Sequence, residues 1–376
     1  MLSLFLLLVT SAHASEREAT SIYGNELKCE SFITEKEREA YLRKAIAFRP
    51  VTADEIRSCE MINVKLDQKG KEGFVFNEEV SCEYEPKGDS PLRGGSSKFK
   101  CRVGGNKYKV KYQLQRNYDG NEVFTEVAAT RLMNCLGGYA DYMFPVRVIA
   151  RNSPPDPWKS EAGILPQVRF EMAAIEVKRK GELLETSADS GWDWAHDLPL
   201  VQDRAQADAL ALFGALIQHA DSKPDNQRFM CEKADTVCGQ RKEPVCSRPV
   251  IMIQDFGHAF GKSAHNRRQS TKMDLDGWRS RPVWKDKAQC IASVQPYQIQ
   301  RLLQKKRILG TLEDPRISEA GRRLLADRLD ALTPQQRVDL FRAARVELRD
   351  PARTAEQWAQ ALTEKIEEIK SAHCPQ

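Results

Sequence analysis

Apolar residues return every three or four positions through residues 203–218. Ala209, Leu210, Leu212, Phe213, Leu216 and Ile217 form a broad face, and the spacing predicts a buried helix. Two short apolar runs follow, Gln227-Arg228-Phe229-Met230 and Pro249-Val250-Ile251-Met252-Ile253, and predict the two strands of a hairpin. The polar connection, 231–248, reads as an insertion on the rim. Upstream, Lys107-Tyr108-Lys109-Val110-Lys111-Tyr112 alternates as a strand does, with its lysines on one face. Residues 121–136 carry the stripe Val123, Phe124, Val127, Ala128, Leu132 and Cys135; they predict a helix that Gly137-Gly138 stops. Phe170 to Glu176 reads as a strand running into a polar segment. Further helices are predicted over 35–47, 318–332, 333–346 and 354–372, with Thr333-Pro334 fitting an N-cap followed by proline at the first helical position. Ser153-Pro154-Pro155-Asp156-Pro157 predicts a rigid turn.

The chain has 376 residues, 41% hydrophobic and 30% charged, enough for a substantial core and one domain with extensions. A net charge of +5 is too small to argue for nucleic acid as a partner. The basic stretch around His265, Arg267, Arg268 and Lys272 reads as a solvated loop. At the start, Leu2 to Val9 forms a short apolar core before Ala12-His13-Ala14, so residues 1–14 are expected to be a secretory signal. That run is too short to span a membrane, and no other stretch is long enough. All ten cysteines lie beyond it, and an even number behind a signal predicts disulfides in a secreted or periplasmic protein. Cys82 and Cys101 lie in neighbouring predicted strands, close enough in sequence to staple them; the other pairings stay open. Cys135, on an apolar helix face, reads as simply buried. With no C-x-x-C pair, structural zinc is not expected.

The chemistry concentrates in His219-Ala220-Asp221-Ser222-Lys223-Pro224-Asp225-Asn226, reading H-x-D-x-K-P-x-N, and in Asp255-Phe256-Gly257 downstream. With a helix before them and strands between, these two runs resemble the catalytic and metal-binding loops of the protein-kinase superfamily. The resemblance implies an α+β, bilobal fold: a small β-rich N-lobe, a mainly helical C-lobe and an N-terminal helical extension. Its expected layout is 15–65 extension, 66–175 N-lobe, 176–350 C-lobe with the 231–248 insertion, and 351–376 a terminal helix. It further implies transfer of the γ-phosphoryl group of ATP, with Mg²⁺ or Mn²⁺, to a hydroxyl acceptor. In that scheme Asp221 orients and deprotonates the acceptor, Lys223 offsets charge on the transferred group, and Asn226 and Asp255 hold metal. A strand lysine that holds phosphates and a glutamate of the following helix are expected as Lys111 and Glu126, with Lys109 and Glu122 as the second choice. Gly94 and Gly95 are expected in the loop over the phosphates, and the 170–176 strand at the hinge.

Ala220 stands where signalling kinases have arginine, and no A-P-E follows Asp255-Phe256-Gly257. The chain is therefore closest in character to atypical secreted or extracytoplasmic kinase-like proteins. The acceptor (protein, sugar, lipid or small molecule) stays open. So do two alternatives with the same residues: a pseudokinase acting as an interaction module, and a kinase-fold adenylyltransferase.

Overall fold

Threonine side chains start the first two helices, α1 (Glu35–Lys44) and α2 (Ala53–Arg57). In each, the threonine hydroxyl and a glutamate three residues on satisfy opposite backbone N–H groups. The computed structural model describes residues 29–66, 73–86, 95–115, 122–159, 163–187, 191–264, 273–296, 299–301, 304–306 and 310–375. The expected signal (1–14), Gly94 and the basic stretch 265–272 lie outside the described residues. Helix α1 stops short of the expected 47 because the chain turns extended, and Ile46 and Phe48 form bridges to Val250 and Gly138.

Five strands then close into a barrel: β1 (Glu79–Glu85), β2 (Lys98–Val103), β3 (Asn106–Gln113), β4 (Tyr142–Ser153) and β5 (Leu165–Val177). Gly104 and Gly105 both take positive φ, the conformation a two-residue hairpin turn requires, and so set the β2–β3 register. Closure comes from a parallel pairing of β1 with β4, which joins strands far apart in sequence. Alternation sends Phe99, Val110, Tyr112, Phe144, Val148, Phe170 and Ile175 into the barrel core. It leaves Lys98, Lys109, Lys111 and Glu176 on the outer face.

Helix α3 (Glu122–Cys135) lies against that outer face. It is buried almost all round, because the barrel covers one side and helices of the other half cover the rest. Gly137, at φ 81°, ends it in the left-handed conformation that glycine adopts without a Cβ penalty.

The remaining chain is mainly helical. After β6 (Gly181–Leu183), helix α4 (Arg204–Leu216) runs through the second core, capped by the Asp203 carboxylate. Next come β7 (Gln227–Glu232), the small hairpin β8 (Thr236–Cys238) and β9 (Pro244–Cys246), and β10 (Pro249–Ile253). Strands β7 and β10 pair antiparallel as expected, and the β8–β9 hairpin is the intervening insertion. Helix α5 (Leu275–Ser280) precedes a short pair, β11 (Trp284–Asp286) and β12 (Ile291–Ala292). Helices α6 (Glu319–Asp330), α7 (Pro334–Ala343), α8 (Val346–Arg349) and α9 (Ala355–Lys370) complete the half. Trp278, Phe260, Phe341 and Trp358 form one aromatic cluster joining α5, α7 and α9. The result is a mixed α+β molecule, with one core inside the barrel and another in the helical half. Among the described residues no helix is long and apolar enough to cross a membrane.

All ten cysteines pair: Cys29–Cys238, Cys59–Cys135, Cys82–Cys101, Cys231–Cys246 and Cys290–Cys374. The staple between β1 and β2 is the one suggested by strand proximity. Cys135 corrects the reading of a merely buried thiol: it is buried and bonded to Cys59, because the segment after α2 folds back onto the end of α3. These bridges are compatible with an extracytoplasmic location. Replacing Cys59 and Cys135 together by alanine is expected to lower unfolding free energy by about 2–5 kcal/mol in a denaturant titration. Coincident curves for the two proteins would show that the bridge is dispensable.

Candidate active site

Helix α4 delivers the chain to Gln218, whose φ of 55° ends the helical path and redirects the next residues. His219 is fully buried between α4 and Phe256, the two rings 5.4 Å apart. Burial pushes its pKa down to about 4, so it is a neutral ring at pH 7. The Ala220 N–H donates to the His258 carbonyl at 3.0 Å, and the Ser222 hydroxyl accepts from the Leu312 N–H at 2.9 Å. These bonds hold the loop from both sides. Asp221, partly buried, follows, with Lys223 Nζ 2.9 Å from both of its carboxylate oxygens.

Pro224 to Asn226 form a single 3₁₀ turn that returns the chain into β7. Within it, Asn226 Nδ2 donates to the Asp221 carbonyl at 2.6 Å. The Asn226 carbonyl accepts from the Gln254 and Asp255 N–H groups at 2.8 and 3.2 Å. The β7–β10 hairpin thereby sets Asn226 and Asp255 side by side. The Asp255 carboxylate accepts from the Gly257 N–H at 2.8 Å, a tight local turn that keeps it pointing out of the strand. Phe256 is fully buried against Phe213 of α4 and anchors this segment.

Lys111 of β3 joins the barrel to these loops. Its ammonium bonds Glu126, lies 2.9 Å from Glu122 and 3.8 Å from Asp255. The expected Lys111–Glu126 pair is therefore brought together. The second choice, Lys109 with Glu122, is not: Lys109 pairs with Glu176, its cross-strand partner on β5, and Glu122 turns to Lys111. Glu122 and Glu126 are one helical turn apart, so both face the same lysine. Gly95 is exposed, three residues before β2, at the end of the β1–β2 connection. The 170–176 segment lies within β5, whose last residues lead out of the barrel.

Glycine at 257 is required by this packing. A Cβ there would lie 2.6 Å from the Glu122 side chain, and the Gly257 carbonyl accepts from Thr125 of α3 at 2.9 Å. Sequence reasoning passed over Thr125 and Lys98. Lys98 was accessible to it: counting outward from the Gly104-Gly105 turn pairs Lys98 with Lys111.

The charges of the cluster act on one another at short range. Burial alone would lower the Lys111 pKa, but Asp255, Glu122 and Glu126 outweigh it and hold the ammonium well above its usual range. Burial pushes Glu126 well above the carboxylate range despite Lys111, with Asp255 and Glu122 adding to the rise. Asp255 is held well below that range: burial opposes this, while Lys111, Glu126 and the Gly257 N–H favour its charge. Burial thus acts against charge on Glu126, while Lys111 and the Gly257 N–H favour it on Asp255.

Oxygen ligands of Glu122, Glu126 and Asp255 lie within 4.8 Å of one another, and Asp255 leaves 33% of its side chain open. Asn226, whose Nδ2 is taken, has its Oδ1 left for a cation among the described residues. An all-oxygen set with an ionised carboxylate fits a hard divalent cation such as Mg²⁺ or Mn²⁺.

No protein-family model matches the chain, and a search of curated proteins finds no match. Among solved structures, it is similar to the crystal structure of a Helicobacter pylori proinflammatory kinase, CtkA. The TM-score is 0.37 at 13% identity, covering 78% of this chain and 94% of that one. A likeness at that level decides neither family nor activity.

The buried His219 makes stability depend on pH. Its folded value of about 4 lies below the ordinary 6.5, so the unfolded chain binds more protons between the two. Its penalty is absent above about pH 6.5 and grows as pH falls towards 4, reaching about 3 kcal/mol. The difference in unfolding free energy between pH 7 and pH 4 is expected to shrink by about that much in His219→Phe. An unchanged difference would mean that His219 titrates normally.

Proposed function

We propose that this chain is a kinase-like phosphotransferase of an extracytoplasmic compartment, with a barrel-built N-lobe over a helical C-lobe. One observation carries the reading. Lys111 of the barrel, Glu126 of α3 and Asp255 of the loop after β10 meet at one point, and Asp255 is bonded to the turn that holds Asn226 and Asp221. The lobe arrangement, the residue roles and the nucleotide are inferred from that convergence together with the two loop motifs. The disulfides and the apolar start of the chain support export.

In this reading Lys111 holds the nucleotide phosphates, and Glu122 and Glu126 fix its position. Asp221 accepts the proton of the acceptor hydroxyl and aligns its oxygen. Lys223, already 2.9 Å from Asp221, lies where negative charge accumulates on the transferred group. Asn226 and Asp255 would hold the divalent cation, which when bound supplies neutralisation of phosphate charge. The His219 ring stays neutral and packs beneath the loop, so it takes no part in proton transfer at pH 7. The acceptor is a hydroxyl whose carrier the site does not specify.

The test is transfer of label from ATP carrying it at the α or the γ position, with Mg²⁺ or Mn²⁺ and the oxidised protein. Label is expected from γ, falling about 10²–10⁴-fold in Asp221→Ala and abolished in Asp255→Ala. Label from α would make the protein an adenylyltransferase. No label and no metal-dependent nucleotide binding would leave an interaction module.

A further inference from the structure

We propose that Lys98 of β2 is a second phosphate-binding cation of this site, acting beside Lys111 on the nucleotide triphosphate; this rests on the nucleotide-binding reading above. Lys98 is the direct cross-strand partner of Lys111 in the β2–β3 ladder. Opposed residues on one face of an antiparallel pair hold their Cβ atoms about 5 Å apart. The two ammonium groups therefore share the outer barrel face that α3 and Asp255 close. Lys98 is also the first residue of β2, at the root of the connection expected to cover the phosphates.

Its surroundings do not explain why a charge is buried there. Lys98 is 7% exposed, and its only hydrogen bond among the described residues is to the Ser96 hydroxyl at 3.3 Å. The Trp158 ring lies 5.5 Å away, a weak attraction of the cation–π kind. Other lysines of the same face have carboxylates: Lys107 has Glu85 and Lys109 has Glu176. No carboxylate among the described residues lies within ion-pair distance of Lys98. Glu122 and Asp255 favour its charge only from further off, while burial and the Lys111 ammonium lower its pKa. An ammonium carries three N–H donors, and leaving most of them unmatched in a buried place destabilises the fold.

Lys111 is differently placed. Glu122, Glu126 and Asp255 already surround it, so its charge is largely neutralised before any ligand arrives. Among the described residues of this group, the cation with unused donors is Lys98. A polyphosphate is the ligand class that matches such a cation next to carboxylates able to hold a divalent ion. Charge-assisted bonds to phosphate oxygens would satisfy those donors. Lys98 then adds positive charge at the phosphates beside Lys111, which also fixes α3 and the Asp255 loop.

The experiment uses Lys98→Met in the full oxidised chain, with Lys98→Arg alongside. Binding of Mg²⁺–ATP and of adenosine is measured by titration, and the thermal midpoint of each nucleotide-free protein is recorded. Lys98→Met is expected to weaken Mg²⁺–ATP binding about tenfold or more, because methionine cannot donate a charge-assisted bond to a phosphate oxygen. Adenosine binding should stay within about threefold of wild type, since adenosine lacks the phosphates. The nucleotide-free midpoint should be unchanged or higher, because a strained charge is gone, and Lys98→Arg should keep ATP affinity. A lower midpoint with ATP and adenosine weakened alike would make Lys98 structural and overturn the proposal. So would unchanged ATP affinity in Lys98→Met, while leaving the nucleotide reading intact. A wild-type protein that binds neither ligand would remove both.

Discussion

A lysine side chain taken out of water must find its counter-charges inside the protein, and the molecule is arranged around that requirement at Lys111. Isolated burial would expel its proton. Carboxylates from a helix and from a loop surround it instead, so three separately folded pieces meet at one ammonium. The constraint runs both ways. Glu126, buried in the first turns of α3, has this ammonium as its partner, and Asp255 is helped by it to stay ionised. Removing one partner would leave charges that the others cannot neutralise, which is more damaging than the absence of the whole group.

The rest of the architecture supplies rigidity to that meeting point. Barrel closure fixes β3 on both sides, through β2 and β5. The buried Phe256 and neutral His219 seat the loop from below. Gly257 lets α3 approach closely enough for the Thr125 hydrogen bond. Each of these is a local steric or hydrogen-bonding fact, and together they leave the lysine little freedom.

What could be read from the sequence was local. The run from His219 to Asn226, the Asp255 turn, and the strands flanking them are marked by close spacing and period. The Lys111–Glu126 pairing was an expectation of the kinase resemblance, since alternation puts Lys107, Lys109 and Lys111 on one face alike. Barrel closure was not legible, because the parallel β1–β4 pairing joins strands with no mutual signal along the chain. The cysteine partners were hidden for the same reason: Cys29 and Cys238 are 209 residues apart. The second-choice pair of Lys109 with Glu122 could not be ranked by period alone, because two carboxylates one turn apart share a side. The cross-strand attraction of Glu176 for Lys109 settled that choice.

The bridge from Cys59 to Cys135 has a temporal side. Cys135 is the last residue of α3, whose first turns carry Glu122 and Glu126. A helix pinned covalently at its far end cannot slide along its axis or swing away as a free rigid body. Large helix displacement is thus a poor means of regulation for the oxidised chain. The pin joins residues 76 positions apart and exists only after both have been translated and oxidised. The far end of the helix that carries Glu122 and Glu126 is therefore fixed by a bond that only an oxidising compartment supplies.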